Sequence, residues 1–329
     1  MRVSALIPTY NRRAYIFRAI DSIFSQSVSV NEVIVVDDGS TDGTSQAIQE
    51  KYGSGVRVVI QKNSGVGEAR RRAVEESNGE WIAFLDSDDE WAPGRMAILS
   101  DVASSVGSEV AWVFGDSQFV ADKGDLTSAF EESKLIVKDG VKVFDRPLSE
   151  LPWSLEITRP PVLEASLIRK SALMGLQCFS EGLRHGEDFL ASLQVASRYS
   201  FAAVPAVVTK VYRTSDLTSS SLEYRGISSI DACKAGVIGY ELAARTTQSK
   251  GWMDLHAEFV RRLCKASARE DLPIRGLAAQ QFTFGVSLKS LGFWCAAMLG
   301  SGFFRVCFSI KRFLRMIGRQ DSEGLVGTQ

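Results

Sequence analysis

Three acidic residues within four positions, Asp86, Asp88 and Asp89, are the side chains of this sequence that could most readily do chemistry. They follow an apolar run, residues 82–85, which predicts a buried strand. Carboxylates this close repel one another unless a cation lies among them. Mg²⁺ or Mn²⁺ prefers oxygen ligands and needs only one or two carboxylates when phosphate oxygens complete the shell. The pattern predicts a cation site, and the alternative is an acidic loop that caps the next helix.

The spacing of Asp86 and Asp88 supports the first interpretation. In an extended segment, residues two positions apart point to the same side, so both carboxylates would face one ligand. The carboxyl end of a strand is also where open α/β sheets bind ligands.

A second acidic pair, Glu187 and Asp188, opens a predicted helix over residues 186–198. The helix dipole favours negative charge at this end, and this effect alone explains the pair. The functional alternative is a general base that takes a proton from an acceptor. Adjacent side chains in a helix point about 100° apart, so one acid can face a cleft while the other braces the loop.

Three polar loops could complete a binding site. Residues 37–42 follow a β-branched run, and their carboxylates could accept hydrogen bonds from a ribose or a base, although Asp, Gly and Ser also favour plain turns. Residues 62–67 contain two glycines that could let backbone N–H groups approach a diphosphate. Of the three arginines that follow, residues 70–72, at most one or two can face a cleft. Arg213 precedes a serine-rich loop, which is either a phosphate-binding flap or a linker.

The predicted elements place these groups on one framework. Residues 1–116 alternate strand and helix patterns at short spacing, which predicts a mostly parallel sheet with helices on both faces. Residues 117–160 are less regular and are interpreted as an insertion beside the cleft. The pattern becomes helical from residue 222 onward, so we predict an α/β domain over 1–221 and a helical region over 222–329.

Composition excludes several classes of function. The 329 residues carry a net charge of −1 and a pI of about 6.2, which gives no reason to expect a nucleic-acid partner. Five scattered cysteines fit a reducing compartment, and two histidines are too few for a histidine-based metal site. We find neither a signal-peptide pattern nor a run of 18 apolar residues, so the expected location is cytoplasmic.

The C-terminal segment 285–318 has its own pattern. It contains no acidic residue, and its aromatic side chains are interleaved with lysines and arginines. Its apolar stretch, 291–304, is too short to span a bilayer. This pattern is typical of a helix in an anionic membrane surface, which would place the protein on the inner face of the cell membrane. The alternative is a core helix or a helix that forms a homo-oligomer.

Five motifs occur together over about residues 1–213 and resemble a family 2 glycosyltransferase with the GT-A fold. They are IPTYNR at 7–12, VVDDGSTD at 35–42, NSGVGEAR at 63–70, GEWIAFLDSDD at 79–89 and ED at 187–188. Five motifs in the order of the family are far more specific than any one of them. The sequence departs from the family in three places: Arg71 replaces a usual asparagine, the Q-x-x-R-W motif of processive synthases is missing after Arg213, and loop 212–215 lacks a frequent histidine.

The resemblance implies an inverting transferase that moves a sugar from a nucleotide-sugar donor, a UDP-sugar by expectation, to a hydroxyl group of a carbohydrate or lipid-linked acceptor. Such reactions serve the synthesis of surface polysaccharide, lipopolysaccharide or glycolipid. Asp188 would be the catalytic base with Glu187 in support, and Asp86 and Asp88 would hold Mg²⁺ or Mn²⁺. The donor-binding residues carried over by motif are Pro8, Thr9, Tyr10, Asp38, Asn63, Gly67, Arg70, Asp86, Ser87, Asp88 and Arg213.

Two other classes of function were weighed. A non-catalytic nucleotide-sugar-binding or scaffold protein could share the fold, because fold alone does not imply activity. The presence of all three aspartates, 86, 88 and 188, argues against it. A nucleotidyltransferase would also use a metal, but it should show a basic glycine-rich signature near its N-terminus, and residues 1–13 have none.

Overall fold

The computed structural model describes residues 1–122, 127–133, 137, 140–144, 163–174, 179 and 186–213. The predicted helical region 222–329, its membrane-contact segment 285–318 and the loop 214–221 lie outside these residues. Within the part of the chain that is described, no helix is both long and apolar enough to cross a bilayer.

The first half of the fold alternates strands and helices as the sequence predicts. Its elements are β1 (Val3–Thr9), α1 (Ile16–Phe24), β2 (Glu32–Asp37), α2 (Thr44–Tyr52), β3 (Arg57–Ile60), α3 (Val66–Glu76) and β4 (Trp81–Phe84). Strand β1 is buried along its whole length, as expected of a central parallel strand covered on both faces. Helix α1 buries the predicted face of Ile16, Ala19, Ile20 and Ile23.

The second half is more mixed. Its elements are β5 (Glu90–Trp91), α4 (Arg95–Ser105), β6 (Val110–Ala121), β7 (Thr127–Ser128), α5 (Ala129–Ser133), β8 (Lys142–Phe144), β9 (Ser166–Arg169), α6 (Lys170–Met174), α7 (Glu187–Arg198) and β10 (Ser200–Arg213). The sequence predicted only residues 111–114 for the fifth main strand, whereas β6 is twelve residues long and reaches into the predicted insertion. Residues 163–165, expected to begin a strand, form a single 3-10 turn before β9.

The ten described strands form one sheet. Eight of them follow the order β3-β2-β1-β4-β9-β6-β10-β5, while β7 pairs with β6 and β8 pairs with β10. Strands β3, β2, β1 and β4 run parallel, and β10 runs parallel to β6. Strand β9 is antiparallel to both of its neighbours, β4 and β6. Because β1, β2 and β4 share one direction, their carboxyl ends and the polar loops that follow them lie at one edge of the sheet.

Helices cover both faces of the sheet, as predicted. Alternate residues of each strand point to opposite faces, so β1 sends Leu6 into one core cluster and Ile7 into the other. The cluster of Leu6 includes residues of α3, α6 and α7, and the cluster of Ile7 includes residues of α1 and α4. The mixed α/β fold predicted from the sequence is therefore confirmed.

Candidate active site

The acidic segment after β4, residues 86–89, forms a tight turn, which is called the acidic turn below. The N–H of Asp89 donates to the carbonyl of Asp86 at 3.1 Å, so the extended conformation expected for this segment is wrong. The two aspartates are close enough for the charge of Asp86 to add to the effect of burial, and both raise the pKa of Asp88 against the opposing effect of Arg12. The side chains of Asp86 and Asp88 are 34% and 17% exposed. Ser87 and Asp89 are buried.

The two partly exposed carboxylates, Asp86 and Asp88, fit a divalent cation by their chemistry. No group of three or more His, Cys, Asp or Glu in ligand geometry occurs among the residues described. Mg²⁺ or Mn²⁺ bound with a diphosphate needs only one or two carboxylates. The contact of Asp86 with Arg70 uses Oδ1, and the ion pair of Asp88 with Arg12 uses Oδ2 at 3.5 Å. Each contact engages one oxygen, and a carboxylate has a second oxygen to offer.

A buried guanidinium, Arg70, joins three segments of the site. Its Nη2 donates to Asp86 at 2.6 Å and to Glu164 at 3.4 Å, and its Nη1 donates to Glu187. Burial alone would lower the pKa of Arg70, but the charges of Asp86, Glu187 and Glu164 raise it above the ordinary value. The Arg70 cluster, defined as Arg70, Asp86, Glu164 and Glu187, therefore connects α3, the acidic turn and the start of α7.

This placement changes the interpretation of Arg70. The sequence predicted a donor-binding residue, but its side chain is 3% exposed and is directed to carboxylates. The expectation for its neighbours is confirmed, because Arg71 and Arg72 are solvated and pair with glutamates of their own helix.

Glu164 belongs to the site and was not found from the sequence. It is buried in the 3-10 turn before β9, and burial together with the charge of Asp86 raises its pKa well above the ordinary value. Its backbone carbonyl accepts hydrogen bonds from Arg95 and Thr209. No motif marks it, since its partner Arg70 lies 94 residues earlier in the chain. Only a search for a carboxylate to balance a buried arginine could have pointed to it.

The two acids at the start of α7 differ in burial, as the sequence suggested. Glu187 is buried against Arg70, and burial raises its pKa to about 7 although Arg70 opposes the shift. Asp188 is partly exposed, and its Oδ1 accepts the N–H of Phe189 at 2.7 Å. Gly186 precedes the pair with a positive φ of 85°, a conformation that glycine adopts without strain. Glu187 thus braces the segment, and Asp188 remains at the surface of the site.

Gly67 has a packing role that the sequence did not predict. A Cβ at this position would lie 2.6 Å from the carbonyl oxygen of Phe179 and 3.6 Å from the Cγ of Glu187. The missing side chain lets α3 approach these two residues closely. Gly67 is buried in this packing, and its contact with the donor stays a prediction.

Asp38 holds the loop after β3. Its two oxygens accept the backbone N–H groups of Ser64 and Gly65, each at 2.8 Å, and the side-chain amide of Gln61 at 2.8 Å. These N–H groups were expected to approach a diphosphate, and that expectation is wrong for Ser64 and Gly65 because Asp38 already binds them. Asn63, in the same loop, is exposed.

The residues at the end of β1 differ in how far they are exposed to solvent. Pro8 and Thr9 are buried, and the hydroxyl of Thr9 has no hydrogen-bond partner among the residues described. Tyr10 is 46% exposed. A buried hydroxyl without a partner costs stability, so the arrangement around Thr9 favours a polar ligand at this edge.

Arg213, expected to reach phosphate oxygens, lies at the last position of β10. Its guanidinium stacks at 3.4 Å from the centre of the Phe119 ring and donates to Glu132 at 3.0 Å. The guanidinium of Arg213 therefore packs against α5 and β6, and its contact with phosphate oxygens stays a prediction. The serine-rich loop that follows lies outside the described residues.

Several known proteins are similar in sequence to part of this chain. Residues 4–138 match the model of Glycosyl transferase family 2. A putative teichuronic acid biosynthesis glycosyltransferase of Bacillus subtilis, TuaG, is 43% identical over 97 residues, which are 29% of this chain and 38% of that protein. Chondroitin synthase of Escherichia coli is 42% identical over 101 residues, 30% of this chain and 15% of that protein. The matches span only between 30% and 38% of the length of the first three curated relatives.

A solved structure shows the same fold. The crystal structure of S. aureus TarS 1-349 superposes with a TM-score of 0.64 at 18% identity, over 95% of this chain and 91% of that chain. The TarS 1-349 complex with UDP-GlcNAc superposes with a TM-score of 0.56 at 20% identity, over 90% of this chain and 79% of that chain. The family match includes the loops after β1 and β2 and the acidic turn, and the sequence resemblance is confirmed there. Residues 4–138 of this chain thus carry the family 2 glycosyltransferase pattern that the sequence motifs indicated.

Proposed function

We propose that this chain transfers a sugar from a UDP-sugar to a hydroxyl group of a carbohydrate or lipid-linked acceptor, with inversion at the anomeric carbon, in the synthesis of a surface polysaccharide. Structures of its fold neighbour TarS are described in complex with UDP and with UDP-GlcNAc. Relatives named for teichuronic acid biosynthesis, chondroitin synthesis and succinoglycan biosynthesis support a polysaccharide product.

One observation carries the proposal. The buried Arg70 contacts both Asp86, in the acidic turn, and Glu187, next to Asp188. These two acidic segments are about a hundred residues apart in sequence, yet one guanidinium fixes their separation in space. A transferase needs a diphosphate site and a base on opposite sides of the reacting carbon. The Arg70 cluster contains Asp86 of the candidate diphosphate site and Glu187, the neighbour of the candidate base Asp188.

The chemistry follows from these positions. Asp86 and Asp88 would hold Mg²⁺ or Mn²⁺ together with the donor diphosphate, and a bound cation stabilises the charge on the leaving diphosphate as a Lewis acid. Asp188 takes the proton of the acceptor hydroxyl while its oxygen forms a bond to the anomeric carbon. The bond from that carbon to the diphosphate breaks, and the diphosphate leaves with the electron pair. One such displacement inverts the centre, as in inverting hydrolases.

The nucleoside would lie at the ends of β1 and β2. The hydroxyl of Thr9 is a buried group without a partner in the described structure, and Tyr10 offers an exposed ring on which a base could stack. Asp38 would act there mainly by holding the loop over residues 61–65 in place.

The decisive experiment is a transfer and hydrolysis assay with a panel of UDP-sugars and Mn²⁺. We expect Asp188→Asn to lower kcat by roughly 10²–10⁴-fold, the usual contribution of a general base. The affinity for UDP should change little, because this variant keeps the size of the side chain. Asp101→Asn is the matched control, since Asp101 is exposed on α4. A variant Asp188→Asn that transfers sugar at the wild-type rate would refute the assignment of the base. UDP binding without any turnover by the wild type would instead indicate a scaffold protein.

A further inference from the structure

Arg70 holds the acidic turn on one side through Asp86. Arg18 holds it on the other side, and no sequence motif includes Arg18. We propose that Arg18, on α1, is a positioning residue that clamps the turn against the end of β10 and so aims the carboxylate of Asp88. This inference rests on the proposed function, because it assigns Arg18 a role in binding the donor diphosphate.

Three contacts make up the clamp. The Nη2 of Arg18 donates to the backbone carbonyl of Asp88. The same guanidinium lies over the ring of Tyr212, with its carbon 3.6 Å from the ring centre. The backbone N–H of Tyr212 in turn donates to Oδ1 of Asp89 at 2.8 Å. The contacts form a closed circuit from α1 to the turn, from the turn to β10, and from β10 back to α1.

The clamp contacts the backbone of Asp88, whose side-chain direction sets the geometry of the proposed cation site. The side chain of Asp88 pairs with Arg12, whose Nε lies 3.5 Å from Oδ2. A hydrogen bond to the carbonyl of the same residue fixes the peptide plane and therefore the direction in which the side chain leaves the turn. Arg18 can thus aim Asp88 without occupying either of its carboxylate oxygens.

Stability alone gives a poor account of this arrangement. The Nε of Arg18 is buried without a hydrogen-bond acceptor among the described residues. A buried donor without a partner costs free energy, and a lysine or glutamine would avoid part of this cost. This cost fits a guanidinium retained for its effect on the turn.

The closed circuit has a consequence for β10. Tyr212 is the residue before the last of this strand, and it is joined both to Arg18 and to Asp89. A shift of the acidic turn when a donor binds must therefore move the end of β10, and a shift of β10 must move the turn. The clamp links the donor side of the site to the chain that leaves β10.

The first test measures the affinity for UDP in the presence of Mn²⁺ by calorimetry. Arg18→Gln should weaken binding by roughly tenfold, the combined effect of a lost charged hydrogen bond and a cation–π contact. Arg18→Lys keeps a cation over the ring and should recover part of the loss. Tyr212→Leu removes the ring, and the double variant should lose less affinity than the product of the two single losses. The melting temperature should remain within a few degrees of the wild-type value in every variant.

Lys51→Gln is the matched control. Lys51 lies over the rings of Phe17 and Tyr52 at 4.8 and 4.9 Å, and so makes the same type of contact at an exposed place without touching the turn. It should leave UDP affinity unchanged. The clamp would be overturned if the loss of UDP affinity in Arg18→Gln followed a fall in melting temperature. It would also be overturned if the loss in the double variant equalled the product of the losses in Arg18→Gln and Tyr212→Leu.

A second test does not depend on the nucleotide. The amide hydrogen of Tyr212 should exchange with solvent several-fold faster in Arg18→Gln than in the wild type, because the strand end loses its anchor. Unchanged exchange at Tyr212 would refute the inference by itself. If the wild type does not bind UDP, the proposed donor is wrong, and this exchange measurement still decides for or against the clamp.

Discussion

The buried carboxylate of Glu187 predicts an unusual dependence of stability on pH. Burial raises the pKa of Glu187 from the ordinary 4.5 to about 7, against the opposing charge of Arg70. Between these two values the native state holds a proton that the unfolded chain has released. The free energy of unfolding therefore falls by about 1.4 kcal/mol for each pH unit in this range, or about 3 kcal/mol in total.

Substitution Glu187→Gln removes this titrating group and keeps the shape of the side chain. The stabilising effect of the wild-type group is present below pH 4.5 and is lost as the pH rises through about 7. Compared with the wild type, Glu187→Gln should therefore gain about 3 kcal/mol of relative stability between pH 4.5 and pH 8. Part of that gain will be offset, since Arg70 loses one of its three carboxylate partners.

The assay is urea unfolding followed by circular dichroism, repeated across pH 4 to 9 for both proteins. Glu75→Gln provides the control, because Glu75 pairs with Arg71 at the exposed surface of the same region and should give a difference that hardly varies with pH. If the difference between wild type and Glu187→Gln is the same at pH 5 and pH 8, then Glu187 is ionised throughout and the reasoning about the Arg70 cluster fails.

Three further predictions concern other parts of the chain. Chelator should abolish sugar transfer and added Mn²⁺ or Mg²⁺ restore it, and Asp88→Ala should weaken metal-dependent binding of UDP without lowering the melting temperature; full activity in excess chelator would contradict the cation site. Gly67→Ala should lower the unfolding free energy by roughly 1–3 kcal/mol in urea titrations, because its Cβ would lie 2.6 Å from the carbonyl of Phe179. Truncation after Gln281 should release the protein from anionic vesicles at low salt in a flotation assay, because segment 285–318 carries aromatic residues and cations without an acid; a full-length protein that ignores such vesicles would contradict it.

Much of the fold was accessible from the sequence because the first half obeys simple periodic rules. The sequence pattern predicts a helix over residues 44–52, and α2 has these bounds; the predicted ends of the other early elements differ from the observed ends by one or two residues. The parallel strands are apolar along their length, and turn residues separate them from the helices. The second half was harder to predict, because β9 enters the sheet in the opposite direction between β4 and β6, and nothing local marks the direction of a four-residue strand.

The candidate site could likewise be predicted only in part from the sequence. The aspartates of the acidic turn and the pair Glu187–Asp188 were found because acids at element ends stand out against apolar runs. Glu164 and the contacts of Arg18 could not be found, since each depends on a partner dozens of residues away that only the folded sheet brings near. The conformation of the turn was also missed, because alternation describes a strand and the strand ends at Phe84, before the first aspartate.

The balance of charge in the site explains why so many arginines surround so few exposed acids. The Arg70 cluster contains three carboxylates and one guanidinium, and Asp88 and Asp89 add two more carboxylates to the same turn. Burial and the charge of Asp86 raise the pKa of Asp88, and Arg12 opposes this shift only in part. An excess of negative charge around partly exposed oxygens attracts a divalent cation, and a cation in turn brings a diphosphate. Replacing Arg70 by a neutral residue would therefore do more than break ion pairs. It would leave the buried Glu164 and Glu187 without their shared cation, so the fold itself would be destabilised before the binding of a donor could be measured.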